Sequence, residues 1–183
     1  MADRIPKEKR SEIMSRIRSA NTKPELLLRR AMWRMGFRYR VNDRRLPGKP
    51  DIVLPRYRTV VFVHGCFWHG HEGCKNYTVP KTNIDFWTAK VARNRERDQE
   101  EWRRLEAMGW SVVIVWECQL KKAELDETVS RVAEEILRNG ENRKKEREER
   151  KLSRLEYLSE QKSRKERTAI LMREITLRRH HPH

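Results

Sequence analysis

The cysteines and histidines around residue 70 constrain the fold of this chain more than any other feature. Cys66, His71 and Cys74 lie within nine residues as Cys-x4-His-x2-Cys, and the remaining cysteine, Cys118, follows a strand-like run. Thiolates and imidazole are the ligands that zinc prefers, and four of them close a tetrahedral structural site. Such a site would tie an irregular loop to a distant strand, and its binding free energy would count toward folding. The alternative is three unrelated buried thiols and a surface histidine.

The cysteine count also bears on the compartment. Three is an odd number, which argues against a closed disulfide framework and for a reducing cytoplasm. No run of about 18 apolar residues is present, and residues 1–18 lack the apolar core of a secretory signal. We therefore expect a cytoplasmic protein that does not span a membrane.

The hydrophobic pattern predicts alternating helices and strands. The predicted helices cover residues 7–19, 22–36, 85–108 and 120–138, and Thr22 with Glu25 resembles a capping box at the start of the second. The predicted strands cover residues 37–41, 51–54, 59–64 and 110–116, whereas residues 65–84 have no regular pattern. This order predicts an α/β fold in which helices cover both faces of a mixed sheet.

The chain is strongly basic, with 43 lysines and arginines against 27 aspartates and glutamates and a formal charge of +16. Such a surface attracts polyanions and is typical of nucleic-acid-binding proteins, although charge alone does not separate DNA from RNA or an anionic membrane. Residues 141–183 are dominated by charge and contain no glycine. We therefore divide the chain into a domain at 1–140 and a charged basic C-terminal extension at 141–183, which is either a solvated helix or a disordered arm.

Several ionisable residues are candidates for a catalytic site. Asp51 opens a short apolar strand, where a carboxylate can hold magnesium, which prefers oxygen ligands, or can cap a turn. His64 ends an apolar strand and His69 lies inside the cysteine loop, so each can be structural or catalytic. Glu25 can be explained as a helix-capping residue without any catalytic role. Asp98 lies among charged residues of a predicted helix, and on sequence alone it is an ordinary solvated charge.

Three aromatic residues lie beside these candidates. Phe67 and Trp68 fall between two candidate zinc ligands, and Trp87 lies near the start of the predicted long helix. Large aromatics near basic residues can wedge between base pairs, or they can fill a core over the sheet. The short loop has little interior to fill, so we expect Phe67 and Trp68 to be exposed. For Trp87 both alternatives stay open.

Four segments together resemble the Vsr family of very short patch repair endonucleases. They are residues 46–51 (LPGKPD), 61–71 (VFVHGCFWHGH), 93–98 (RNRERD) and 109–118 (GWSVVIVWEC). The resemblance covers about residues 8–138 in the family's order and leaves the extension from 141 onward outside. It implies a restriction-endonuclease-like fold, in which a mixed sheet is flanked by helices and a structural zinc site is present.

The resemblance also implies roles for individual residues. Asp51 and the backbone carbonyl of Val63, which stands where the family often has threonine, would hold a catalytic Mg²⁺ ion. His69 would be the general base for the attacking water, and His64 would support the phosphate and the metal-bound waters. Asp98 would orient either the catalytic histidine or the hydrated metals, and Glu25 would sit behind them. The remaining implied roles are structural Zn²⁺ binding by Cys66, His71, Cys74 and Cys118, and intercalation beside the mismatch by Phe67, Trp68 and Trp87.

The function that the resemblance implies is DNA repair. The enzyme would recognise a T·G mismatch left in double-stranded DNA by deamination of 5-methylcytosine. It would then nick the strand 5′ to the thymine by magnesium-dependent hydrolysis. Its expected partners are this DNA, mismatch-repair proteins and a repair polymerase. It would act as a monomer in the bacterial cytoplasm, associated with the nucleoid, with the predicted basic helix at 7–19 along the minor groove.

Three other functions are open at the level of sequence, and the weakest of them attributes the function to residues 141–183 as a polybasic partner-binding arm. A restriction-type nuclease of the same fold would use the same active-site residues on matched or modified DNA, so the substrate separates the two enzymes. A zinc-stabilised DNA-binding protein without activity would carry Asp51, His64 and His69 as packing residues only. Absence of magnesium-dependent nicking would favour that protein.

Overall fold

The computed structural model describes residues 20–80 and 82–180, although the side chains of residue 170 and of residues 173–180 are not described. The helix expected at 7–19 lies outside the described residues. The chain divides into two compact units, with the boundary between Gly140 and Glu141. Each unit is described by itself below.

The first unit alternates helices with the strands of one small sheet. Its helices are α1 (Lys23–Arg34), α2 (Ile84–Ala107) and the first part of α3 (Leu125–His180), and its strands are β1 (Ile52–Leu54), β2 (Thr59–His64) and β3 (Ser111–Trp116). Short 3-10 turns follow β1 at Pro55–Tyr57 and β3 at Glu117–Leu120. The described residues between β2 and α2 form a long irregular segment, as the sequence predicts.

The sheet is mixed, in the order β1-β2-β3. β1 and β2 are antiparallel, with Ile52 opposite Val61, and a tight left-handed residue at Arg58 (φ 50°) closes the connection between them. β2 and β3 are parallel, with His64 opposite Trp116 at their carboxyl ends. The crossover between these parallel strands contains α2, as a parallel pair requires.

Helices cover both faces of this sheet, which confirms the predicted mixed α/β layering. On one face, α1 and α3 bury a cluster that includes Leu28, Met32, Val132 and Ile136 against side chains of all three strands. On the other face, α2 contributes Leu105 to a second cluster; the other buried members are Val53, Val60, Phe62 and Trp110. Burial on both sides explains why β2 reads as a nearly continuous apolar run.

The strand predicted at 37–41 is wrong. Only Arg40 pairs with the sheet, through one antiparallel bridge to Val53. Asn42 then adopts a left-handed backbone conformation (φ 47°), and its N–H donates to the carbonyl of Pro50 at 3.0 Å. The chain therefore turns away from β1 before a second pair can form.

The end predicted for the last helix is also wrong. The helix starts at Leu125 because Glu117–Leu120 forms a 3-10 turn, and it continues through Gly140 to His180. Gly140 serves packing rather than termination, since a Cβ atom there would lie 2.7 Å from the ring of Tyr57. The second unit, described to residue 180, is this helix, and its described side chains are nearly all exposed. None of the described helices carries a segment long and apolar enough to cross a membrane.

Two neighbouring residues of α3 test this packing. Ile136 is fully buried, whereas Leu137 is 48% exposed. We expect Ile136→Ala to lower the free energy of unfolding by about 2–5 kcal/mol, because it leaves a cavity between α3 and the sheet. Leu137→Ala should change it by less than about 0.5 kcal/mol. Urea denaturation followed by circular dichroism measures both, and equal losses would contradict this packing.

Candidate active site and metal centre

Asp51 lies immediately before β1 and faces the end of β2. Its Oδ2 accepts a hydrogen bond from the backbone N–H of Val63 at 2.7 Å. Antiparallel pairing of β1 with β2 brings these two residues together, although they are separated by a turn in sequence. The carboxylate and the backbone of Val63 are therefore adjacent, as a shared metal site would require.

The surroundings of Asp51 oppose its ionisation. Burial, with a smaller contribution from the nearby acid Glu25, raises the pKa of this carboxyl to about 7, against the opposing effects of the Val63 N–H and Arg29. Two acids in one buried place repel each other when both are charged. A bound cation would reverse this balance, because it would stabilise the ionised form.

Arg29 of α1 links the residues around Asp51, and the sequence analysis did not single it out. Its guanidinium is buried, and its Nη2 lies 3.2 Å from Glu25 and 3.7 Å from the Asp51 carboxylate. Its Nε donates to the backbone carbonyl of Asp51 at 3.1 Å, and its Nη1 donates to Asn21 at 2.6 Å. The signal available in the sequence was the i,i+4 spacing from Glu25.

Glu25 stabilises the start of α1, but not through the predicted capping box. Its carboxylate accepts hydrogen bonds from the N–H of Asn21 and from the hydroxyl of Thr22, both at 2.8 Å. The Thr22 hydroxyl therefore donates to Glu25, and it makes no hydrogen bond to the helix backbone. Glu25 is buried beside Arg29 and so belongs both to the helix cap and to the charged cluster.

His64, His69 and Asp98 form a second group close to Asp51. The Nδ1 of His69 and the Oδ2 of Asp98 are 2.5 Å apart, and the two imidazole rings stack with centroids 3.8 Å apart. One ligand atom from each of the three residues lies within 4.8 Å of the others. Asp98 is a buried residue on the inner side of α2, so its description as an ordinary solvated charge is wrong.

The ionisation of this group favours a neutral histidine beside a charged carboxylate. Burial, reinforced by His69, lowers the pKa of His64 to about 3. Burial raises the pKa of Asp98, but the hydrogen bonds from His69 and Arg97 outweigh it, so the pKa lies below its ordinary value. In the described part of the chain, the Nδ1 of His64 is the one buried side-chain nitrogen or oxygen without a hydrogen bond. Buried polar atoms normally have a partner, so this nitrogen is available to a ligand or a water molecule.

Both groups line one open cleft of ≈ 720 Å³. The cleft brings together all five predicted catalytic residues and the backbone of Val63, and its further lining residues are Ala20, Asn42, Arg44, Leu46, Gly48, Lys49, Phe62, Arg97 and Glu101. The arginine and lysine side chains that line the cleft carry positive charge, which attracts phosphate. The carboxylates in the same cleft can bind a cation. Glu101, which lies one helical turn beyond Arg97, was not predicted from the sequence.

The three cysteines and His71 meet in a separate cluster. The Nδ1 of His71 lies 3.4 Å from the sulfur of Cys66 and 3.5 Å from that of Cys118, and one atom of Cys74 completes a group within 4.8 Å. Zinc with ordinary sulfur and nitrogen bond lengths would place tetrahedral ligands about 3.5 Å apart. The donor set and its spacing therefore fit a four-coordinate metal, and none of the cysteines is in a disulfide.

Neighbouring side chains hold this metal-ligand cluster in place. The carboxylate of Glu117 accepts the N–H of Cys66 at 2.9 Å, and the ring of Trp116 stacks on His71 with centroids 4.1 Å apart. Burial raises the pKa of the Cys66 thiol to about 12 and also raises that of Cys118. These thiols would lose their protons only to a strongly bound cation, which fits a metal site better than a redox site.

The predicted aromatic residues form one cluster at the surface. The ring of Phe67 lies 5.2 Å from that of Trp68 and 5.3 Å from that of Trp87, and both contacts are edge-to-face. All three are half-buried, so Phe67 and Trp68 are less exposed than expected. Phe86 adds a 57% exposed ring next to Trp87. The cluster therefore presents a broad apolar surface beside the metal-ligand loop.

Comparison with known proteins identifies the family. The family model described as DNA mismatch endonuclease Vsr matches residues 2–76, which include Asp51, both stacked histidines and three of the four candidate metal ligands. The chain is 50% identical over 137 residues to "Type II nicking enzyme V.NmeAIP" of Neisseria meningitidis, covering 74% of this chain and 97% of that protein. It is 48% identical over 120 residues to "Type II nicking enzyme V.XorIIP" of Xanthomonas oryzae, covering 66% and 88%.

A third relative carries the name of the family itself. The chain is 43% identical over 137 residues to "DNA mismatch endonuclease Vsr" of Escherichia coli, covering 74% of this chain and 87% of that protein. Identity of this level over most of each relative, together with the family match, leaves one assignment: the chain belongs to the Vsr family of DNA endonucleases.

Proposed function

We propose that this enzyme recognises T·G mismatches that arise from deamination of 5-methylcytosine and nicks the DNA strand 5′ to the mismatched thymine. The observation that carries the proposal is the single cleft in which Asp51 faces the stacked histidine pair. Membership in a family whose relatives are named for mismatch cleavage or nicking supports it. A nick leaves a strand end that a repair polymerase would extend, and mismatch-repair proteins are the expected further partners.

Asp51 and the backbone carbonyl of Val63 would hold a magnesium ion at the cleft. The half-buried carboxylate, which shares the countercharge of Arg29 with Glu25, and the unpartnered Nδ1 of His64 both fit a cation with bound waters. When bound, magnesium would neutralise charge that develops on the scissile phosphate. Arg29 would keep the Asp51 backbone in place, and Glu25 would hold Arg29.

His69 would act as the general base for the attacking water. If its Nδ1 hydrogen is donated to Asp98, its Nε2 is left as a proton acceptor. Asp98 would then stabilise the imidazolium that forms, because its own pKa is low. His64 would remain neutral at pH 7 and would support the phosphate or the metal-bound waters beside His69.

The cysteine cluster would hold a structural zinc ion. Four protein ligands fill a tetrahedral shell, so the metal would have no open position for water or substrate. Its function would be to fix the loop that carries His69, Phe67 and Trp68. Those two aromatics and Trp87 would wedge beside the mismatch, where unstacking costs less than at a paired step.

The fold class also belongs to this proposal. A mixed sheet with helices on both faces and an acid at the start of a strand is compatible with a restriction-endonuclease-like domain at 1–140 that acts as a monomer. Residues 141–183 would then be an extension outside the catalytic domain. A second candidate function is nicking of matched or modified DNA, because two of the relatives above are named type II nicking enzymes.

The deciding measurement is a nicking assay with magnesium on two duplexes of equal length. One carries a single T·G mismatch in a cytosine-methylation context, and the other is fully paired. We expect one cut 5′ to the mismatched thymine, and loss of at least about 100-fold in rate in Asp51→Ala and in His69→Ala. Equal cutting of both duplexes would favour the second candidate function, and binding without cutting would refute both.

Two histidines separated by one residue test the metal assignments. We expect the wild-type chain to hold about one zinc ion, and His71→Asn to lose it together with stability, because the site is a source of folding free energy. His69→Asn should keep the zinc and lose nicking. Metal analysis of the purified proteins by mass spectrometry measures the content. Equal zinc content in the two variants would contradict the four-ligand assignment.

Asp51→Asn should separate stability from activity in a pH-dependent way. The folded-state pKa of about 7 lies above the ordinary value of 3.8, so the carboxyl favours the folded state at low pH and loses this contribution as pH rises through 7. Without added magnesium, we expect the free energy of unfolding of the neutral variant to exceed that of the wild type by about 1–3 kcal/mol at pH 8. At pH 5 the difference should be smaller but still present, because the contribution is lost between 3.8 and 7 and is complete only below the ordinary pKa of 3.8.

Urea denaturation at the two pH values measures this difference, and the nicking assay should show the same variant to be inactive. A variant less stable than the wild type at pH 8 would contradict the electrostatic account of Asp51. Glu101→Gln removes an acid that lines the same cleft outside the Asp51–Arg29 cluster; because burial raises the pKa of Glu101 too, we expect a smaller difference of the same sign.

A further inference from the structure

The charged part of α3 beyond Gly140 carries its two kinds of charge on different sides. Successive residues of an α-helix are rotated by about 100°. On that basis, six of the seven basic side chains between positions 143 and 154 fall within an arc of about 120°, and Lys145 lies outside it. We call this set the basic stripe; its members are Arg143, Lys144, Arg147, Arg150, Lys151 and Arg154. Lys162 and Lys165 continue the same side two turns later.

Acidic residues occupy most of the remaining surface. Their positions, apart from Glu146 at the edge of the stripe, are Glu141, Glu148, Glu149, Glu156, Glu160 and Glu166. A helix that only needs to stay soluble would alternate the signs, because Glu and Lys four residues apart stabilise it. This helix has such pairs, for example Glu141 with Lys145 and Lys162 with Glu166. Along the stripe, however, it also places like charges four residues apart: Arg143 with Arg147, Arg147 with Lys151, and Arg150 with Arg154.

Each such like-charge pair destabilises a helix by about 0.2–0.5 kcal/mol. Glu146 offsets one of these charges, through an ion pair with Arg143 at 3.2 Å. Arg147, Arg150 and Arg154 are exposed and contact no acid or hydrogen-bond acceptor in the portion of the chain that is described. The stripe therefore has a surplus of positive charge that an external polyanion would neutralise.

Self-association through this helix has little support. A coiled coil needs apolar residues along one seam, repeated every three or four positions. No apolar residue occurs between positions 141 and 151, and the exposed apolar side chains that follow are directed to different sides: Leu152, Leu155, Tyr157 and Leu158. The charge pattern is the regular feature of this surface, and the apolar pattern is not.

We propose that the basic stripe binds the phosphate backbone of duplex DNA, without reading its sequence. The stripe is about 16 Å long, which equals the rise of about five base pairs. Arginines are well suited to phosphate oxygens because their planar group donates two parallel hydrogen bonds. The contact adds affinity on any duplex, which keeps the enzyme on DNA between target sites. The inference rests on duplex DNA being the substrate, as proposed above.

The test compares two triple variants of the full chain that carry the same net charge. One removes three charges from the stripe (Arg147→Gln, Arg150→Gln, Arg154→Gln), and the other removes three from elsewhere on the same helix (Lys145→Gln, Arg164→Gln, Arg167→Gln). Binding to a fully paired duplex is measured without magnesium while the salt concentration is raised about fourfold, from about 50 to about 200 mM. Circular dichroism confirms equal helicity.

We expect the stripe variant to reduce the slope of log K against log salt by about 2–3, since each lost phosphate contact removes about 0.9. The matched variant should reduce it by less than about 1. Equal slopes for the two variants would overturn the proposal, as would a change in oligomeric state limited to the stripe variant in size-exclusion chromatography with light scattering.

The nicking assay keeps the two proposals separate. A wild-type enzyme that nicks the T·G duplex while both variants have equal slopes refutes the stripe alone. A wild-type enzyme that fails to nick but shows a stripe-dependent slope refutes the mismatch function and leaves the DNA contact standing.

Discussion

The buried guanidinium of Arg29 holds together three parts of the domain that meet at the cleft. It belongs to α1, yet its Nε binds the backbone of Asp51 before β1, and its Nη atoms contact Asn21, Asn42 and Glu25. A buried cation without a countercharge would cost several kcal/mol, so these contacts are required wherever Arg29 is buried. The carboxylate that faces the cleft is thereby placed by a charge network, and the apolar core alone would leave its position free.

Much of the sheet could be predicted from sequence because it is buried on both faces. The expected strand at 59–64 is observed as Thr59–His64, and that at 110–116 as Ser111–Trp116. The single bridge at Arg40 could not be predicted, because the left-handed turn at Asn42 ends the pairing and a polar residue at that position carries no clear signal. Gly140 misled the prediction for a related reason: glycine marks helix ends, but here it makes room for Tyr57.

The candidate site was predictable to a different degree in its two halves. The spacing of the cysteines and of His71 indicated the candidate metal cluster directly, because a set of three cysteines and one histidine that uses every cysteine of the chain is typical of a zinc site. The pairing of His69 with Asp98 joins residues 29 positions apart, and periodicity describes only local neighbours. The resemblance to a family supplied that pairing. Neither the residue pattern nor the family resemblance indicated Arg29, because an arginine on an amphipathic helix is exposed far more often than it is buried.

The histidine–aspartate group and the cysteine cluster are connected through the short loop that both share and through Trp116. His69 and His71 are separated by Gly70, whose backbone is left-handed (φ 64°) and packs so closely on α2 that a Cβ would lie 2.7 Å from Val91. Trp116 stacks on His71 and also contacts the ring of His64 edge-on at 5.5 Å. A metal held by the cysteines would therefore fix the loop whose preceding turn presents His69 to Asp98. Catalysis that depends on sub-ångström placement of a base would then depend on a metal ion that never contacts the substrate.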